Sequence, residues 1–170
     1  MISQLDEAAL AWLHQFSSPM LDRVASAVSL FGSEFVVVFG LALLVVFAWQ
    51  RRWRDLVAVV LVIVGAEALT LLLKEVLQRA RPESVVAFIA ADQFSLPSGH
   101  ATRGAAFYAY IAHLVRFRAL VTAGLAVLVI CIGLARMYLG VHFLSDVLAG
   151  YVVGIAWTAV VVRSLCMLSQ

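Results

Sequence analysis

Charge is what this chain has least of. Of its 170 residues only 13% are charged, while 64% are hydrophobic. Soluble domains run about 25% charged and about 45–50% apolar. A soluble fold of this size keeps too much surface relative to its core to bury that apolar excess. Lipid is therefore the solvent for most of the chain, and disorder, a disulfide scaffold and a soluble Rossmann or barrel enzyme are excluded. A net charge of +2 is too small for a nucleic-acid binder, so no nucleic-acid partner is expected. Cysteine is scarce as well. Cys131 and Cys166 lie in apolar runs at a spacing that forms no metal or redox motif, and they read as small hydrophobes. The opening MISQLDEAAL lacks the basic start and apolar stretch of a cleavable signal, so none is expected.

What the chain does contain is a series of apolar runs near 34–50, 55–73, 98–115, 119–139 and 143–163. Crossing a bilayer takes about 20 helical residues, with a range of about 17–25. The runs lack the period of two that a barrel strand needs, and only helices or closed barrels satisfy every backbone group in lipid. The expected fold is an all-α integral membrane bundle of about five transmembrane helices in a single domain, 1–170, with the catalytic bundle over 34–170. Residues 1–33 differ. Leu5, Ala8, Ala9, Trp12, Leu13 and Phe16 share one helical face, and Leu21, Val24, Ala25, Val28 and Phe31 repeat it after Ser17, Ser18 and Pro19. This pattern predicts two short amphipathic helices lying in the membrane interface, or packed as a collar on the bundle.

Counting Lys and Arg leaves the orientation tied. One side carries Arg51, Arg52, Arg54, Arg116, Arg118 and Arg163; the other carries Arg23, Lys74, Arg79, Arg81, Arg103 and Arg136. Most of the second group lie in or beside the motifs below, where function accounts for them. Setting them aside makes the first side cytoplasmic. The 74–97 loop and the 140–143 turn then share the extracytoplasmic face of a cell (inner) membrane.

Three clusters map to that face: Lys74 to Arg81-Pro82, Pro97-Ser98-Gly99-His100, and Arg136 through His142 to Asp146. Lys74, Arg81 and Arg136 concentrate positive charge in a charge-poor chain, and Arg forks suit phosphate oxygens. Pro97 and Ser98 before an apolar run read as a helix start capped by Ser98. Gly99 lets backbone approach a ligand, and N–H groups at a helix N-terminus favour an anion. Together these residues build a phosphate cradle. His142 and Asp146, four apart, share a helical face. A carboxylate on one imidazole nitrogen leaves the other free to attack phosphorus, and His100, inside the cradle, is placed to protonate a leaving oxygen.

By type and spacing these residues resemble the three-part pattern of the type 2 phosphatidic acid phosphatase (PAP2) superfamily: Lys-x6-Arg-Pro, Pro-Ser-Gly-His and Ser-Arg-x5-His-x3-Asp. Here the pattern reads Lys74…Arg81-Pro82, Pro97-Ser98-Gly99-His100 and Ala135-Arg136…His142…Asp146. It covers residues 74–146 and leaves the N-terminal third without support. The resemblance implies a small membrane phosphatase that needs no cofactor and no metal. It implies that His142 forms a phosphohistidine supported by Asp146, and that His100 acts as the acid. Lys74, Arg81, Ser98, Gly99 and Arg136 are implied to bind phosphoryl oxygens. Ala135 departs from the family's Ser and removes one hydroxyl contact; activity is expected to survive it. The implied partners are membrane lipids and a lipid phosphate substrate, with undecaprenyl diphosphate preferred over phosphatidylglycerophosphate, phosphatidate and diacylglycerol pyrophosphate. Lipid-to-lipid phosphotransfer, and a non-catalytic lipid-phosphate binder or transporter, are the competing classes.

Each residue also has a plainer reading. A lone His-x3-Asp is often structural or half a metal site, but a divalent cation here would sit among Lys74, Arg81 and Arg136. Arg79, inside the first spacer, suits phosphate binding and interfacial anchoring equally. Arg103, one turn beyond His100, could meet a second phosphate, although pairing with an acidic side chain is preferred. Glu67, inside a span, calls for a partner such as His113 or Arg103. Gly150-x3-Gly154 suits close helix packing within the chain or a homodimer.

Overall fold

The computed structural model describes residues 2–82, 94–116 and 118–167. Among the described residues seven α-helices follow one another: α1 Ile2–His14, α2 Pro19–Ser29, α3 Glu34–Trp49, α4 Trp53–Leu77, α5 Gly99–Leu114, α6 Ala119–Tyr138 and α7 Leu144–Met167. Among the described residues the only extended pairing is an isolated bridge between Ala80 and Phe94. The protein is an integral membrane helical bundle. Among the described residues four helical stretches are long and apolar enough to cross a membrane, Pro19–Trp49, Trp53–Leu77, Ala119–Tyr138 and Leu144–Met167; α5, expected as a fifth span, is too short at 16 residues to be among them.

The first of these runs further back than the sequence suggests, because α2 continues through a 3-10 turn, Leu30–Gly32, into α3. α2 starts where local chemistry dictates. Ser18 is extended (φ −156, ψ 151), its hydroxyl accepts from the Leu21 N–H, and Pro19 opens the helix. The Ser18 N–H also donates to the Tyr138 hydroxyl (3.0 Å), which in turn donates to Asp22 Oδ1 (2.9 Å), tying α2 to the end of α6.

Helix α5, at 16 residues as short as α3, is the most buried helix of the bundle. Ala101, Thr102, Gly104, Ala105, Ala106, Phe107, Tyr108, Tyr110 and Ala112 are all buried. It packs on α4, α6 and above all α7. Small residues make the α5–α7 approach possible. A Cβ at Gly154 would lie 2.4 Å from the Thr102 carbonyl oxygen, and one at Gly150 2.9 Å from the Ser98 carbonyl oxygen. The Gly150-x3-Gly154 pattern is thus spent on packing within the chain. Polar groups in the spans find internal partners, as a lipid setting requires. Thr158 Oγ1 donates to the Ala106 carbonyl (2.9 Å), Trp157 Nε1 to Leu61 (2.8 Å) and the Tyr151 hydroxyl to Val129 (2.9 Å).

Outward faces are apolar: Val38, Leu41, Val45, Val64, Leu72, Val127 and Val152 are among the exposed side chains. Helix α1 lies against α7 and α6, with Leu10 in a cluster that includes Ala101, Met137 and Val147. Its predicted apolar stripe is split. Leu5, Trp12 and Phe16 face outward, Ala9 and Leu13 are partly covered, and the polar Asp6 turns inward. Cys131 and Cys166 lie exposed on α6 and α7.

Candidate active site

The three sequence clusters converge at one end of the bundle, where α4 finishes, α5 begins and the chain turns from α6 into α7. Arg51, Arg52, Arg54, Arg116 and Arg118 fall at the α3–α4 and α5–α6 connections, which the alternation of helices puts at the other end. Lys74, in the last turn of α4, is buried. Helix α4 then stops on Gln78, which adopts the left-handed conformation (φ 45, ψ 37) with its N–H on the Lys74 carbonyl. The turned chain carries Arg79 and Arg81 back over the site. Ser95 pins it there, donating from its hydroxyl to the Ala80 carbonyl (3.0 Å) and from its N–H to that of Arg79 (2.8 Å). Residues 83–93 of the intervening connection lie outside the described residues.

Ser98 occupies the N-cap position of α5, but its hydroxyl makes no capping bond. The sequence-based expectation of a Ser98 side-chain cap therefore does not hold. Instead its carbonyl accepts from both the N–H and the hydroxyl of Thr102 (2.9 Å each), and its N–H donates to the Asp146 carbonyl (3.0 Å). The Ser98 hydroxyl is fully buried and has no hydrogen-bond partner. A buried hydroxyl left open in this way is a ready donor to an incoming anion. A Cβ at Gly99 would meet only ordinary contacts, the nearest being Thr70 Cγ2 at 3.6 Å. Packing within the protein therefore does not require glycine there.

His100 follows on α5; burial, with the charges of Arg136, Arg103 and Lys74 adding to it, pushes its imidazole down to about 2, so it is neutral in the substrate-free site. Gly32, in the turn before α3, presses on it: a Cβ there would lie 2.9 Å from the His100 carbonyl oxygen. Arg136 donates from Nη1 to the buried Ser29 hydroxyl (2.9 Å), leaving its Nε without a partner. The turn into α7 uses Gly140 at φ 70, a left-handed position suited to glycine. Arg81 Nη1 donates to the Val141 carbonyl at 2.9 Å. His142, 2% exposed, sets its Nδ1 3.7 Å from Asp146 Oδ2. That separation is beyond a hydrogen bond, so the two groups face each other at a distance that a small ring rotation closes; catalytic pairs are often loose before substrate binds. Burial pushes the His142 imidazole down to about 4, with Arg81 and Arg136 adding to the effect and Asp146 opposing it. His142 is therefore neutral at neutral pH, with a lone pair to offer.

Asp146 is fully buried and well held. Oδ2 accepts from the Phe143 N–H (2.9 Å) and Oδ1 from Arg79 Nη1 (2.6 Å). Arg79 is thus engaged with carboxylates, Asp146 on one side and Asp6 of α1 on the other. Arg103 pairs with Glu67 (3.3 Å), the preferred partner among those the sequence offered. The sequence reading missed Asp6, Ser145 and Ser29. Asp6 lies off the apolar stripe of α1 and no local motif marks it; Ser145 carries a cue in lying inside the His-x3-Asp spacing of the third motif. Among the described residues no cluster of three or more His, Cys, Asp or Glu side chains could hold a metal ion. An apolar cavity of about 550 Å³ between α5, α6 and α7, lined by Ala109, His113, Leu125, Tyr151 and Arg163 among others, contains none of these polar residues.

The family model described as the PAP2 superfamily matches residues 55–168, two-thirds of the chain and all three clusters. The chain belongs to the PAP2 superfamily. Two curated PAP2-type relatives place it further. It is 28% identical to phosphatidylglycerophosphatase B of Bacillus subtilis over 168 residues, covering 91% of this chain and 80% of that one. It is 34% identical to decaprenylphosphoryl-5-phosphoribose phosphatase of Mycobacterium tuberculosis over 152 residues, covering 85% and 83%. Among solved structures, the transmembrane PAP2-type phosphatidylglycerolphosphate phosphatase of Bacillus subtilis superposes with a TM-score of 0.79 at 28% identity, over 96% of this chain and 85% of the other. LpxE of Aquifex aeolicus shares the fold, with a TM-score of 0.77 at 23% identity over 94% and 95%. The protein is a multi-pass membrane phosphatase of the PAP2 type.

Proposed function

We propose that the protein hydrolyses a lipid phosphate at the extracytoplasmic membrane face through a phosphohistidine on His142, without a metal or other cofactor. The observation that carries this reading is the neutral, buried His142 facing an anchored Asp146 beside Lys74, Arg81, Arg136 and the open Ser98 hydroxyl. His142 Nε2 attacks phosphorus while the bond to the leaving oxygen breaks, and His100, which takes up a proton as the phosphate dianion enters the cationic site, gives that oxygen the proton. Asp146 supports the imidazolium that forms. His100, now neutral, takes a proton from water; the water oxygen bonds to phosphorus, the P–N bond breaks, and inorganic phosphate leaves. Lys74, Arg81, Arg136, Ser98 and the N-terminal N–H groups of α5, including Gly99, meet the charge on the phosphoryl oxygens. Fixed cations and dipoles aimed at that charge are the main help phosphoryl transfer needs.

The extracytoplasmic side follows from the five arginines at the opposite connections, which the positive-inside tendency assigns to the cytoplasm. The outward apolar residues of α1 suit a helix lying in the interface beside a site at headgroup depth. For the substrate, the relative that aligns over most of the chain favours phosphatidylglycerophosphate. The 34% identical relative favours a polyprenyl lipid as the second reading, in keeping with undecaprenyl diphosphate. The test is inorganic phosphate release by purified protein from phosphatidylglycerophosphate, phosphatidate, diacylglycerol pyrophosphate and undecaprenyl diphosphate in mixed micelles. Turnover of at least one, with phosphate as the product, is expected. No turnover of any, or phosphorylated acceptor lipid as the main product, would overturn hydrolysis.

A further inference from the structure

Helix α1 contributes one buried charged group to the bundle, and that group ends beside the proposed catalytic pair. Asp6 is 2% exposed. Its carboxylate accepts from the Ser145 N–H (2.9 Å), the Ser145 hydroxyl (2.6 Å) and Arg79 Nη2 (2.6 Å). Burial alone would raise the Asp6 carboxyl, but these hydrogen bonds and the Arg79 charge hold it below the usual range, so it is ionised. Arg79 forks between two carboxylates. Nη1 reaches Asp146 Oδ1 (2.6 Å) and Ser145 Oγ (2.5 Å), Nη2 reaches Asp6, and the guanidinium lies 4.4 Å over the Phe143 ring.

We propose that Asp6 and Arg79 are positioning residues for phosphoryl transfer: Arg79 fixes the Asp146 carboxylate opposite His142, and Asp6 shares the Arg79 charge so that Asp146 stays negative toward the imidazole. The physical reason is a balance of charge. Lys74, Arg81 and Arg136 already load the site with positive charge around His142 and His100. An Arg79 paired with Asp146 alone would neutralise the one carboxylate that supports a cationic His142. With Asp6 as a second partner, the two buried carboxylates and the partly exposed Arg79 sum to one negative charge. In a low-dielectric interior that difference is felt strongly by the neighbouring ring. The two-pronged geometry needs a guanidinium, since an ammonium is a single point charge that cannot span both carboxylates. A role as bundle anchor alone would tie α1 to the loop after α4 without requiring the second prong to end on Asp146.

This inference rests on the reading of His142 and Asp146 given above, and the experiment separates the two. Steady-state phosphate release from the lipid turned over fastest in the panel is measured for wild type, Asp6→Asn, Asp146→Asn and the double variant, with thermal unfolding in detergent alongside. Asp6→Asn is expected to lower kcat by on the order of ten- to a hundredfold, the range seen when outer-shell partners of a functional histidine are lost. KM should stay within about twofold, because phosphate binding is untouched. In the Asp146→Asn background the same change should cost almost nothing, since its target is gone. Arg79→Lys, which keeps the charge and loses the fork, should show the same kcat loss and the same dependence on Asp146, and it decides the matter if Asp6→Asn does not fold. Wild-type kcat in the folded variant, or losses that multiply with Asp146→Asn, would overturn the positioning role. An Asp146→Asn enzyme with wild-type turnover would instead overturn the reading of the site itself.

Discussion

The approach of α5 and α7 gives a quantitative test of how the bundle sets the site. Gly154→Ala places a Cβ 2.4 Å from the Thr102 carbonyl oxygen, 2.8 Å from the Ala106 nitrogen and 3.0 Å from Ala105 Cβ. A carbon normally stays about 3.3 Å or more from a carbonyl oxygen. The clash is with backbone, so side-chain rotation cannot relieve it, and the helices must part by about 1 Å locally. Overpacking of this kind costs about 1–3 kcal/mol, against at most about 1 kcal/mol returned by replacing a helical glycine with alanine. About two turns of α7 toward the site, the same two helices are joined by the Ser98 N–H bond to the Asp146 carbonyl (3.0 Å), and they carry His100 and Asp146. Misplacement by about 1 Å can cost about a hundredfold in rate. Gly124→Ala is the matched control, because no atom lies within 4 Å of a Cβ there. Thermal unfolding in detergent and phosphate release, measured on both variants, should show Gly154→Ala less stable and slower by about ten- to a hundredfold. Gly124→Ala should be at least as stable as wild type and fully active. Gly154→Ala matching Gly124→Ala in both assays would refute the packing argument.

Other outcomes follow from the charges. With His142 held down to about 4, the acid limb of kcat/KM for the free enzyme should fall near pH 4, and a limb near the ordinary histidine value of about 6.5 would contradict its burial. The same shift works on stability in a defined direction. Between about 6.5 and 4 the unfolded chain binds a proton that the folded chain refuses, so this contribution is present above that window and is lost as pH falls through it. Arg81→Ala should lower kcat/KM by about a hundred- to a thousandfold, as removal of one fixed donor to a developing oxyanion does elsewhere; a change below about threefold would remove Arg81 from the phosphate clamp. Dialysis against a chelator should leave phosphate release unchanged, because Lys74, Arg81 and Arg136 supply the positive charge; loss that a divalent ion restores would overturn the metal-free mechanism.

Much of this was legible in the sequence because the information is local. The apolar runs locate α3 to α7 to within about four residues; the helices run longest past the expected boundaries at the end of α4, where Lys74 to Leu77 follow residue 73, and at the end of α7, which runs on from 163 to Met167. The need of Glu67 for a cationic partner was readable, with His113 and Arg103 as the candidates, because an acid inside a span must be paired; the structure supplies Arg103. The non-local contacts were not readable. Asp6 lies 140 residues from Asp146, on a helix whose apolar stripe suggested the opposite face as the packed one. Only the bundle shows that Leu10 and Asp6 turn inward while Leu5 and Trp12 face out. Ser98 was at the predicted helix start, but tertiary bonds to Asp146 and Thr102 took over its backbone and left its hydroxyl open. Spacing put His142 and Asp146 on one face, yet their 3.7 Å separation depends on how Arg79 and the Phe143 N–H hold the carboxylate.

The central claim is that His142 carries the phosphoryl group. Rapid mixing of enzyme with a lipid phosphate it turns over, followed by alkaline quench and peptide mass analysis, reads that directly. The account predicts a phosphoryl adduct on His142 that forms and decays within turnover and is absent in His142→Ala, which should release no phosphate above background. Phosphate release by His142→Ala at the wild-type rate, or an adduct on His100 in its place, would contradict it.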